Sequence, residues 1–160
     1  MKIGPVLVSI HRSEMNLYHD LLQLSARYVT EPEVHHVAKD LAQWSRNHIA
    51  KLAEIATDYG EALQAETSDA RASKHAEQHT HSESLGIDNP SGLALLWDLR
   101  TIHMTASGIA VQWTMLSQGA KALQQSDLLS VVTQCQPETQ RQQTWAQAQI
   151  KQLSPQVLSS

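Results

Sequence analysis

Residues 7–29 read LVSIHRSEMNLYHDLLQLSARYV. Leu7, Ile10, Leu17, Leu21, Leu24 and Tyr28 recur there in steps that fit a helix with one face turned to a core. Glu14 is the one member of the same series that carries a charge. Thr30-Glu31-Pro32-Glu33 then breaks the chain and restarts it: Pro32 suits a first helical turn and the acidic residues suit a helix N-terminus. A break this short makes the next helix an antiparallel neighbour.

That second helix is expected over 32–59, stopping at Gly60, a residue suited to the position after a helix. Its seam is Val34, Val37 or Ala38, Leu41, Ser45, His48, Leu52, Ile55 and Tyr59, again with one ionisable member, His48. Between Gly60 and Pro90 the period is lost in a polar stretch, of which 61–78 is rich enough in Ala, Glu and Gln to suggest a surface helix. The third helix, 91–123, is the most apolar, with Leu95, Leu99, Ile102, Ala106, Ile109, Trp113 and Leu116 on its seam and His103 at the flank. Ser126-Asp127 predicts a cap for a short helix over 128–135. Pro137 is expected to open a last helix, and Ser154-Pro155 to end it near Leu153. Two helical hairpins joined by one long connection favour an all-α four-helix bundle of ferritin-like topology, with a crossover (61–90) between helices two and three that sets them parallel; a cytokine-like or other crossover topology is the open alternative.

Composition agrees and narrows the function. The 160 residues suffice for one domain with a buried core, and seventeen Gln with only six Gly favour helix over a turn-rich β fold. A net charge of −4 lacks the basic footprint of a nucleic-acid binder. No apolar run has the length of a membrane span, and the start, MKIGPVLVSIHRSE, turns polar too soon for a signal peptide. The single Cys fits a reducing compartment, so a cytoplasmic location is expected. Phosphate loops, dinucleotide fingerprints, Gly-x-Ser-x-Gly and Cys-x-x-Cys are all missing from the sequence.

The chemistry therefore rests on the polar members of the seams. Antiparallel pairing about residue 30 sets Glu14 level with His48. His11 reaches that layer from one turn away, His103 from helix three, and Glu138 from the start of the last helix, with Cys135 nearby. Two readings compete for this cluster. In one, His11, Glu14, His48, His103 and Glu138 hold a single ion in the bundle core, where mixed nitrogen and oxygen donors suit Fe, Mn or Zn. In the other, Glu14 and His48 are a satisfied buried pair that fixes helix register. Glu33-x-x-His36 has the spacing of a dinuclear ligand motif but falls in a first helical turn and reads as a charged helix start. His75, His79 and His81 read as solvated, the four Trp as packing anchors, Asp98 and Arg100 as a surface or interface charge pair, and Cys135 as a packed small residue.

The segments His11-Arg12-Ser13-Glu14, 41–48 (LAQWSRNH), 95–100 (LLWDLR) and 135–139 (CQPET), with the ending Ser154-Pro155-Gln156, resemble uncharacterised bacterial proteins with a ferritin-like four-helix bundle. The resemblance implies a fold and brings no activity with it. Iron-oxidising members of the wider superfamily carry Glu on two helices and Glu-x-x-His on the other two. Set against that pattern, Glu14 corresponds to the first Glu and His48 to the His of helix two. Ser45 stands where the companion Glu belongs, helix three offers only His103, and Glu138 is followed at 141 by Arg. The resemblance thus implies an iron site that is lost or rebuilt around one ion. The expected function is a structural or binding role, as a homo-oligomer such as a dimer. The alternative is a metal-binding protein or metal-dependent oxidoreductase.

Overall fold

The structure, a computed structural model, describes residues 1–67 and 92–160. Among them are four α-helices and no strand: α1 (Ile3–Arg27), α2 (Pro32–Ala56), α3 (Gly92–Ala122) and α4 (Ser126–Ser159). Helix α1 begins earlier than its apolar period, because Pro5 falls in the first turn, where a backbone N–H has no helical partner to lose. Helix α2 tightens into a 3₁₀ turn at Thr57–Tyr59, and Gly60 then takes the left-handed conformation, φ 77°, that releases the chain. Residues 61–67 are not helical, which corrects the surface helix expected over 61–78 for that part; the remainder lies outside the described residues, as do His75, His79 and His81.

The larger correction is at the C-terminal end. The short helix and the last helix are one element, α4, with Pro137 and Pro155 inside it. A proline removes one N–H from the helical ladder, and for Pro137 the carbonyl left without its donor is that of Thr133. Both residues are exposed, so water serves that carbonyl. Meanwhile Leu128, Val132, Cys135, Thr139, Gln142, Ala146 and Gln149 form an unbroken buried stripe on the opposite face. Packing on that stripe carries the helix through the proline.

Neighbouring helices run antiparallel. Ser25 and His35 close the α1–α2 hairpin: the Ser25 hydroxyl donates to the His35 carbonyl at 2.7 Å, and His35 Nδ1 donates to the Ser25 carbonyl at 2.7 Å. Helix α3 lies along α1 in the opposite sense, with Gln112 donating to Ser9 (2.7 Å) near one end and Tyr28 donating to Asp98 (3.0 Å) near the other. Helix α4 packs on both α3 and α2. The predicted seams of α1 and α3 are buried throughout, and Leu7, Ile10, Leu17, Leu21, Leu99, Ile109 and Trp113 are fully enclosed.

Candidate functional site

Glu14 and His48 are both completely buried, and they meet as the hairpin register requires: His48 Nδ1 lies 3.2 Å from Glu14 Oε1. The other ring nitrogen, Nε2, lies 3.0 Å from Oε1 of Glu138, whose side chain is 27% exposed. Carboxylates from α1 and α4 thus flank one imidazole from α2. A carboxylate only accepts, so satisfying both contacts takes an N–H on each nitrogen, which is the imidazolium. Burial on its own would push the His48 pKa down. The charge and hydrogen bond of Glu14, joined by those of Glu138, outweigh it and hold the pKa above the usual histidine value. The second Glu14 oxygen, Oε2, is buried with no hydrogen-bond partner among the described residues.

A polar layer one turn away supports this arrangement. Gln142 Nε2 donates to the Ser45 hydroxyl and to the Leu41 carbonyl, both at 2.9 Å, tying α4 to α2 beside His48. Trp113 Nε1 donates to Thr139 Oγ1 at 3.0 Å, tying α3 to α4. The Trp113 and His48 rings meet edge-on, with centroids 6.2 Å apart and planes at 89°. Cys135, fully buried beneath, has its thiol pushed up to about 12 by burial, with the charges of Glu14 and Glu138 adding to the effect and Lys51 opposing it. A thiol so placed is a packing group and not a nucleophile.

Of the five residues proposed as ligands from the sequence, Glu14, His48 and Glu138 come together. His11 donates from Nε2 to the backbone carbonyl of Gln64 at 2.7 Å, fastening the chain beyond α2 to α1. His103 is engaged elsewhere: its Nδ1 donates to the Gln143 carbonyl at 3.1 Å. An imidazole directs its two nitrogens outward on different edges, so carboxylates bound to each cannot converge with the ring on one ion. Among the described residues no three His, Cys, Asp or Glu side chains are grouped so as to hold a metal ion. Glu33 accepts from the buried Gln149 at 2.9 Å, a part-buried tie between α2 and α4.

No protein-family model, no curated protein and no solved structure matches this chain. The arrangement of the site has therefore to be judged on its own chemistry. Sequence reasoning placed Ser45 on the seam of α2 but missed Thr139 and Gln142 as core residues. The signal was present: the heptad spacing of Leu128, Val132, Cys135, Thr139, Gln142 and Ala146 runs straight through Pro137, but half its members are not hydrocarbon. An open groove of about 530 Å³ between α2 and α4 starts one turn below the His48–Glu138 contact, at Lys51 and Gln134. Glu54, Asp58 and Asp127 line its far end.

Proposed function

We propose that this is a ferritin-like helical bundle with a structural or binding role, in which Glu14, His48 and Glu138 form an internal clasp and not an iron site. The observation that carries the reading is that both nitrogens of His48 are taken up by carboxylates of two other helices. A ring held in that way has no lone pair left for a metal. Helix order supports the ferritin-like assignment: α2 and α3 each run against α1, hence parallel to one another. The low charge density and the absence, among the described residues, of any helix long and apolar enough to cross a membrane fit the reading. With the lone buried Cys135, we place the protein in the cytoplasm.

A second reading has one observation in its favour. The buried, unpartnered Glu14 Oε2 is the kind of oxygen a cation would take, which keeps a mononuclear site with His11, Glu14, His48 and His103 as the competing hypothesis. Elemental analysis of untagged protein, dialysed briefly against a weak chelator, separates the two. The clasp predicts metal-free, folded protein that takes up no Fe, Mn or Zn. Near one equivalent per chain, lost in His48→Ala, would overturn it. A mutant cycle gives an independent check. Glu14→Gln and His48→Phe should each cost about 3–5 kcal/mol of unfolding free energy, and the double variant should recover part of that loss.

A further inference from the structure

Helix α3 carries exposed apolar side chains on the side turned away from the core, among uncharged polar ones such as Thr114 and Gln118. From Thr101 to Ala120 it carries no Asp, Glu, Lys or Arg. Met104 (55% exposed), Val111 (61%) and Met115 (54%) stand on one outer line, and Gly108 lies on the same line among them. A Cβ placed on Gly108 would meet nothing within 4 Å, so that stretch of helix surface is bare. An uncharged helix face that exposes two Met and a Val in one line is a candidate for cover by another apolar surface. The undescribed residues 68–91 have only Leu85 and Ile87 as large apolar side chains, a poor match for this face.

We propose that the outer face of α3 is a dimer interface, occupied by α3 of a second copy of this chain running antiparallel across it. The spacing is self-complementary in that sense. An axis between residues 109 and 110 sets Met104 of one copy against Met115 of the other, and Val111 of each copy over the open surface at Gly108 of the other. Each contact is made twice, as an isologous interface requires. The positions 104, 108, 111, 115 alternate by four and three, the seam of paired helices. The nearest charges, Arg100 and Lys121, fall at the two ends of the contact, where they keep their water. The uncharged stretch from Thr101 to Ala120 is about 30 Å long and about 10 Å across, and its outer face alone offers roughly 300 Å². A standard stable interface buries about 800 Å² per partner, so the proposed contact extends onto the flanking helices. The proposal is independent of what the buried clasp does.

Sedimentation equilibrium of the full chain at micromolar concentration tests it. The expected mass is twice the 17.8 kDa of one chain. Val111→Lys should reduce the mass to that of a monomer with its helical circular dichroism intact. Gly108→Gln is the sharper variant. It enters open space in the single chain and replaces a residue of poor helix propensity, so thermal stability of the monomer holds or rises while dimerisation weakens at least tenfold. Orientation is read by oxidation: a mixture of Met104→Cys and Met115→Cys chains should form a disulfide between the two variants, and neither should do so efficiently alone. Cys135 is buried and silent in this assay. A monomeric wild-type chain, or a dimer indifferent to both Val111→Lys and Gly108→Gln, would overturn the proposal. So would a monomer that co-sediments with phosphatidylcholine vesicles, which would put lipid on the face instead. Efficient self-linking of Met104→Cys alone would overturn the antiparallel arrangement.

Discussion

His48 is the residue on which three helices agree. Its ring is closed off from solvent, yet the charged form is favoured because Glu14 and Glu138 stand at its two nitrogens. The direction of its pKa shift sets the pH dependence. A histidine whose folded pKa is raised contributes stability that is fully present below its unfolded value, near about 6.5, and is lost as pH rises through the folded value. The stability gap between the wild type and His48→Gln should therefore be widest below about pH 6.5 and narrow at higher pH. Urea unfolding at a series of pH values measures it. A gap independent of pH would mean that the ring contributes as a neutral packing group. Glu14 and His48 were legible in the sequence, since each is a lone ionisable residue in an otherwise apolar series. Glu138 was legible only by level. The different partners of His11 and His103 were not legible, because a backbone carbonyl leaves no mark in a pattern of side chains.

Helices α1, α2 and α3 follow from their periods, and α4 shows where such reading stops. In sequence a proline reads as a boundary, because it removes a donor and crowds the preceding turn. Here it lies on the solvent side of the helix, opposite a continuous buried stripe, and the packing of Val132, Cys135, Thr139 and Gln142 holds both halves in line. Thr139 and Gln142 are polar, so the stripe does not stand out as apolar. Their side chains are nonetheless core residues, because Trp113, Ser45 and the Leu41 carbonyl satisfy them. Restoring the missing donor should then strengthen the element: Pro137→Ala is expected to raise unfolding free energy by about 1–3 kcal/mol. A loss of stability on denaturant unfolding would show instead that the proline shapes the turn that presents Glu138.

Across the whole molecule, polar ties hold each pair of neighbouring helices at a different height. The clasp joins α1, α2 and α4 in the middle of the bundle. Asp98 joins α3 to the end of α1, accepting from Arg27 Nη1 at 2.9 Å and from the Tyr28 hydroxyl at 3.0 Å. Burial, then the charge of Asp98, keeps the Tyr28 hydroxyl protonated well above the usual tyrosine range. The sequence reading had Asp98 in a surface pair with its neighbour Arg100, which lies instead over the Trp97 ring at 4.9 Å. Asp98→Ala should cost about 1–2 kcal/mol, because the Arg27 contact is partly exposed but the hydroxyl loses its acceptor. Thermal unfolding beside the Glu14 variants should find the two losses additive, since the sites share no partner.

The edge-on contact of Trp113 with His48 gives the bundle an optical consequence. Trp113 is fully enclosed, whereas Trp44, Trp97 and Trp145 are only half-buried and replaceable. A protonated imidazole quenches indole emission, and a neutral one does so far less. A chain that keeps Trp113 as its sole indole would thus report the electrical state of its own interior in the colour and brightness of its fluorescence, with no label attached.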